Sequence, residues 1–234
     1  LKTMRIGNDW DCKVHALETR LFDNHGFASR QATRKFIWKL EQINPDIIHL
    51  HNIHGYYINV EYLFEYLRNS GVPVVWTLHD CWPMTGHCAH FEYFNCGRWK
   101  IGCHDCPNIG GYPKSILIDM SKRNFEKKRG LFTSVGNLTI VTPSQWLGRI
   151  VKESFLKDYP VSVIHNGVDL GVFKPCRNES ILDRYHIDKK RKIIFGVANV
   201  WTKRKGFADF MKLSSMLDDE CQIVLLGLTE KQIH

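Results

Sequence analysis

No run in this chain approaches the roughly 18 consecutive apolar residues of a membrane-spanning helix, and its first residues do not read as a charged-then-apolar signal sequence. Those absences exclude a helical span within the sequence and make a soluble, cytoplasmic protein the expectation. Internal repeats and low-complexity tracts are also missing, which leaves an ordinary globular pattern. Acidic residues are in deficit: 24 Asp and Glu face 32 Lys and Arg, a net charge of +8. The excess points to an acidic partner, whether nucleic acid, an anionic membrane or a phosphorylated substrate, without choosing among them.

What is present suffices for a packed core. Apolar residues make up 44% of the 234 positions, enough for one large or two small domains. The chain opens with Leu1, shows no recognisable strand before Asp46 and stops eight residues after a strand ending at Leu226, so it reads as a fragment.

Helical and strand patterns alternate, the signature of βαβ units and a mostly parallel sheet. Ser29 precedes a helix carrying Phe36, Ile37, Leu40 and Ile43, ended by Asn44-Pro45; 46–50 then reads as a short buried strand. Val60, Leu63, Phe64 and Leu67 mark a second helix closed by Gly71, and the next strand ends at His79. Residues 114–132 read as a basic helix, 138–142 as a strand, Ser144 as the cap of a helix bearing Trp146 to Phe155, and 161–164 as a strand entering H-N-G-V-D. Turn-forming residues at 171–180, Asn178 among them, place a boundary between domains at 1–172 and 173–234. Beyond it lie a strand at 192–197, a helix from Gly206 reaching Leu217 and a strand at 221–226.

Three segments carry chemistry. The strand V-V-W-T-L-H-D delivers His79 and Asp80 to its tip, beside an insertion at about 81–112 holding Cys88, Cys96, Cys103 and Cys106. Their spacing closes on C-x2-C, which suits a structural zinc with no open position for substrate; buried free thiols and thiol redox chemistry are the alternatives. The second segment is W-T-K-R-K-G: Lys205 stands just before a helix whose free N–H groups attract anions, so a diphosphate would fit there, against the plainer reading of a solvated basic turn. In the third, Lys122, Arg123, Lys127, Lys128 and Arg129 surround Phe125, either a face for an anionic membrane or a solvated helix surface. His49 and His51 share one strand face and could ligate a metal, but further ligands are not recognisable.

Taken in order, P-D-I-I-H-L-H-N, V-V-W-T-L-H-D, V-T-P-S-Q-W, V-I-H-N-G-V-D-x3-F and A-N-V-W-T-K-R-K-G resemble the family-4 retaining glycosyltransferases of the GT-B fold. W-P-M-T-G-H-C with the later C-H-D-C-P is most similar to the colanic-acid and capsule branch. The resemblance implies an α/β protein of two Rossmann-like domains facing across a cleft, both incomplete here. It implies transfer of a sugar, with retention, from a UDP- or GDP-sugar to a saccharide or lipid-diphosphate-saccharide acceptor in bacterial surface polysaccharide synthesis.

Catalysis is then carried by His79 and Asp80. Donor binding falls to Lys205, Arg204, Gly206, Asn166, Gly167, Asp169 and Ser144, and the acceptor side to Asn52, His54 and Gly55. No cofactor is expected for catalysis, since protein charges and helix N-termini stand in for a metal clamp and a metal-holding D-x-D is read as missing; zinc would be structural only. The implied location is cytoplasmic, peripheral to the inner face of the membrane.

Two departures stand out. Family members carry an arginine five or six residues before the phosphate lysine, where this chain has Asn199 and Val200, leaving Arg204 or a charge elsewhere to substitute. The family's E-x7-E segment and its glycine-rich first loop are absent, so transfer by residues 1–234 alone is not expected. Two rivals come from other classes. A zinc-binding, basic nucleic-acid module would account for the cysteines, Trp99 and the charge but not for the paired βαβ blocks, and a thiol oxidoreductase would use C-H-D-C.

Overall fold

Asn8 starts the first helix by a reciprocal cap: its side chain accepts from the Asp11 N–H while the Asp11 carboxylate accepts from its own N–H. The helix, α1 (Asp9–Phe22), is one that the sequence reading did not contain; it ends on Asp23 in the left-handed region. In the computed structural model, residues 3–176 and 179–233 are described. Arg177 and Asn178, within the expected linker, lie outside them. The chain divides into two units, Leu1–Gly167 and Val168–His234.

In the first unit, α2 (Arg30–Ile43) begins after Ser29, whose hydroxyl does not cap it but meets His15 Nδ1 at 2.8 Å. Asn59 caps α3 (Val60–Ser70) through the Tyr62 N–H, and Val60, Leu63, Phe64 and Leu67 form its buried stripe. Strands β1 (Ile48–Leu50), β2 (Val74–Thr77), β3 (Leu138–Thr142) and β4 (Val161–Val163) form one parallel sheet in that order. Trp76 stands opposite both Leu50 and Ile140. Its ring packs edge-on against Phe132, and Phe132 meets Phe64 at 4.4 Å. Each of these fully buried rings contributes on the order of 1.5–3 kcal/mol of apolar burial.

Several elements are shorter than expected. Leu78 N still donates to Val141 O, after which the chain leaves the sheet, so His79 stands beyond the strand end. The basic helix, α4 (Ser121–Phe132), does not reach back to 114. Ser115 N donates to Ile109 O and Ile116 N to Arg20 O, so those donors are already engaged outside any helix. Helix α5 (Gln145–Glu153) is capped by Ser144 Oγ accepting from Leu147 N.

In the second unit, β5 (Lys192–Val197) and β6 (Cys221–Leu226) pair in parallel, joined through α7 (Phe207–Ser214); α6 (Glu179–Arg184) precedes them and α8 (Glu230–Ile233) follows. Helix α7 stops at Ser214, short of Leu217. Each unit has the parallel strand–helix–strand pattern that the sequence implies.

Candidate functional site

In parallel α/β sheets, ligands bind beyond the carboxyl ends of the strands. The first unit gathers histidines there. His79, exposed at the tip of β2, brings Nε2 to 2.9 Å from Nδ1 of His51 at the tip of β1, and the two rings stack. Such a contact holds one proton between two nitrogens, so one ring donates and the other accepts. One residue on, the Asp80 carboxylate lies 3.0 Å from His54 Nε2 and accepts the Trp82 N–H at 2.9 Å. Burial pushes the Asp80 carboxyl up, but His54 and the Trp82 N–H outweigh it and hold it below the usual carboxylate range. The β2 tip therefore presents an exposed imidazole held by His51 and, one residue on, a carboxylate held by His54 and the Trp82 N–H. Asn52 is exposed and its carbonyl accepts from the Tyr57 hydroxyl, while Gly55 lies against the Tyr57 ring.

At the neighbouring strand ends, Ser144 spends its oxygen on the cap of α5, and His165 Nδ1 donates to Pro143 O. Asn166 and Gly167 follow, exposed, and close the first unit. Asp169 belongs to the second, where its carboxylate accepts from Gly171 N in a turn. In that second unit Lys203, Arg204 and Lys205 form one exposed 3-10 turn directly before α7. Gly206, at φ 78°, turns the chain from it into the helix, a conformation that other residues adopt only with strain. Three cations and a helix N-terminus thus share one short segment, suited to an anion.

A parallel α/β edge carrying these histidines agrees with what sequence comparison finds. The Glycosyltransferase Family 4 description matches residues 10–172. This chain belongs to Glycosyltransferase Family 4. It is 31% identical over 160 residues to WcaC of Escherichia coli (strain K12), described as a colanic acid biosynthesis glycosyl transferase. That match takes in 64% of this chain and 36% of the relative's length. The two Rossmann-like units are those of the family's GT-B fold.

Within this family member the cysteine-rich loop brings the four expected zinc ligands into one neighbourhood without a ready-made metal site. Cys106 hydrogen-bonds to Cys88, which raises the Cys106 thiol and lowers that of Cys88, and Cys96 and Cys103 lie close enough to act on them. Yet among the described residues no group of three or more His, Cys, Asp or Glu is placed to hold a metal ion. Packing holds the loop as well. Trp82, Met84, Ala89, Phe91 and Trp99 are all buried in it, and Gly86 packs so closely on the Ser121 carbonyl that a Cβ would lie 1.9 Å from that oxygen. Burial pushes Cys103 up to about 11, so C-H-D-C lacks the activated thiol that an oxidoreductase needs.

The basic helix is corrected more sharply. Ser121, Phe125, Lys128 and Phe132 form its buried stripe, so Phe125 and Lys128 face the core. Lys128 Nζ donates to Trp82 O and Thr85 O, and Lys127 pairs with Glu61. No five-residue membrane face exists, and no helix among the described residues is long and apolar enough to cross a membrane. His49 bonds Thr77 and His51 bonds His79, which uses the H-x-H pair without metal. A D-x-D does occur, Asp9 and Asp11. It lies in the first turn of α1, where Asp11 serves the cap and Asp9 pairs with Arg5.

Sequence reasoning missed the partners behind the site. Asp23, on the cap of α1, accepts from His87 Nδ1 at 2.6 Å and from Met120 N, and its carbonyl accepts from Asn124. His25 lies among the rings of Trp82, Tyr56, Tyr112 and His54, and burial, then the Lys128 charge, hold its pKa well below the ordinary histidine value. Only the helical spacing of Lys128 with Phe125 and Phe132 could have signalled this buried polar layer.

Proposed function

We propose that the protein transfers a sugar, with retention, from a UDP- or GDP-sugar to a saccharide acceptor carried on a lipid diphosphate, as one step in building a bacterial surface polysaccharide. The observation that carries this reading is the β2 tip: His79 exposed and Asp80 oriented by His54, in a chain of Glycosyltransferase Family 4. The similarity to a colanic acid biosynthesis glycosyl transferase supports the polysaccharide context.

The chemistry follows from charge. As the glycosidic bond to the diphosphate breaks, negative charge grows on the leaving group and positive charge on the sugar ring. Lys205, with Arg204 and the N–H groups at the start of α7, meets the diphosphate, and Gly206 lets the backbone approach it. His79 hydrogen-bonds the donor sugar, and the Asp80 carboxylate fixes the loop that carries it. Asn166, Gly167, Asp169 and Ser144 complete the donor contacts through backbone and side chain. Asn52, His54 and Gly55 border the acceptor. Protein charge does the work of a metal clamp in this scheme.

The basic residues left exposed on α4, Lys122, Arg123 and Arg129, are consistent with an enzyme at the inner face of the membrane, near a lipid-linked acceptor. The test is a screen of UDP- and GDP-sugars for hydrolysis and transfer on the complete protein, with H79A and K205A beside it. Turnover in the parent that falls at least about 100-fold in H79A is the expected result. Equal turnover in parent and both variants would overturn the assignment.

A further inference from the structure

Between the cysteine-rich loop and α5 lies a cavity of about 460 Å³ that none of the roles above uses. Its floor is Trp99, buried and stacked on Phe91 with ring centres 4.7 Å apart. Its wall is Trp146, on the first turn of α5, 44% exposed although it is the largest kind of side chain. Tyr93 and Phe94 are also exposed, on the 3-10 turn that supplies Glu92 to the cavity. Aromatic rings left open to water in this number call for an explanation other than core packing.

The polar groups define the chemistry. Lys100 and Glu153 form an ion pair with each other along one side. Glu92 and Arg149 form no ion pair among the described residues, and Asn95 is exposed beside them. The lining therefore sums to zero charge, two cations against two carboxylates, which gives no preference for a phosphate or a nucleotide. It offers instead a carboxylate that accepts, a guanidinium that donates and an amide that does both, around a flat indole. That combination suits a neutral, polyhydroxylated ring with an apolar face.

We infer that this groove binds a neutral saccharide unit, stacked on Trp146 and hydrogen-bonded by Glu92, Arg149 and Asn95. It rests on the transferase reading for its role, which is to hold a sugar of the acceptor away from the reacting one. Trp146 follows Ser144 just past the end of β3, and β3 pairs directly with β2, whose end leads into His79. The groove's lining on α5 runs from Trp146, two residues past Ser144, to Glu153.

The test uses the purified protein and a panel of neutral disaccharides of glucose, galactose, mannose and fucose, with UDP and inorganic phosphate as anionic probes. Saturation-transfer NMR is expected to show at least one disaccharide bound through its ring C–H face, with affinity falling roughly tenfold or more in W146A. E92Q and R149Q should each weaken binding several-fold, and circular dichroism should be unchanged because all three side chains are exposed. No bound disaccharide, undiminished binding in W146A, or a groove that answers only to UDP or phosphate would overturn the proposal. UDP- and GDP-sugar binding measured on the same samples, and lost in K205A, keeps the two readings apart. If it persists while disaccharide binding fails, the groove alone is refuted.

Discussion

Lys128 Nζ lies 3.3 Å from the centre of the Trp82 ring while donating to the carbonyls of Trp82 and Thr85. The ammonium is buried, and Trp82 in turn gives its N–H to Asp80. A helix far along the chain thereby holds the turn on which Asp80 depends. The groups whose charges act on the amine are Asp23, Cys103, Cys88 and Asp80, and its own charge acts on His25.

Burial lowers the Lys128 pKa from 10.5 to about 7. Between those values the unfolded chain keeps a proton that the folded chain has released, so stability rises with pH across that window, by at most about 1.4 kcal/mol per pH unit. K128M should abolish this slope and, by leaving two carbonyls without a donor, cost about 1–3 kcal/mol at pH 9. Urea unfolding at pH 7, 8 and 9 measures both. Equal slopes in the two proteins would contradict the buried amine.

His15 predicts the acid limb. Its Nε2 accepts from Gly26 N at 3.1 Å, so Nδ1 carries the proton and donates to Ser29 Oγ. Burial lowers its pKa from 6.5 to about 4. The unfolded chain therefore binds a proton first, and stability is lost as pH falls from 6.5 toward 4, by about 3 kcal/mol from this group. H15Q keeps an acceptor for Gly26 and removes the titration, so its unfolding free energy should fall less over that range. His25 adds to the same loss in both proteins.

The Asp80–His54 pair predicts a split between folding and turnover. D80N retains an oxygen for the Trp82 N–H but removes the charge facing His54. Turnover of the sugar nucleotide by the complete protein should fall on the order of 100-fold, with the thermal midpoint little changed. Unaltered turnover would assign Asp80 to the loop alone.

Ser144 separates capping from binding. S144A removes the acceptor for Leu147 N and should cost about 1 kcal/mol of stability, whereas S144D should restore it. If Ser144 also contacts donor, the KM for the sugar nucleotide rises in both variants. A KM restored in S144D together with stability would show that it serves the helix only.

Alternating periodicity was enough to find the four strands of the first unit and the two of the second, because strand and helix stripes are local properties of the chain. Their ends were less legible: β2 stops at Thr77 and not at His79 because only neighbouring strands set where pairing ceases. The α1 helix was legible and missed: Trp10, Val14 and Leu17 stand at i, i+4 and i+7, a helical spacing, although the structure leaves all three exposed.

By itself the sequence determined the order of motifs, the delivery of His79 and Asp80 by a buried strand and the place of Lys205 before a helix, and with them the family. Only the tertiary structure decided which groups act on one another. His51 and His79, and His54 and Asp80, are each more than 25 residues apart and meet because parallel strands bring their carboxyl ends side by side. Cysteine spacing pointed to a structural zinc, whereas the structure decided that aromatic packing buries the loop and that no group of three ligands among the described residues is already placed for a metal. Lys128 looked like surface charge in a basic run, yet helical geometry turns every third or fourth residue inward, and there its ammonium meets the carbonyls and the indole that compensate for burial.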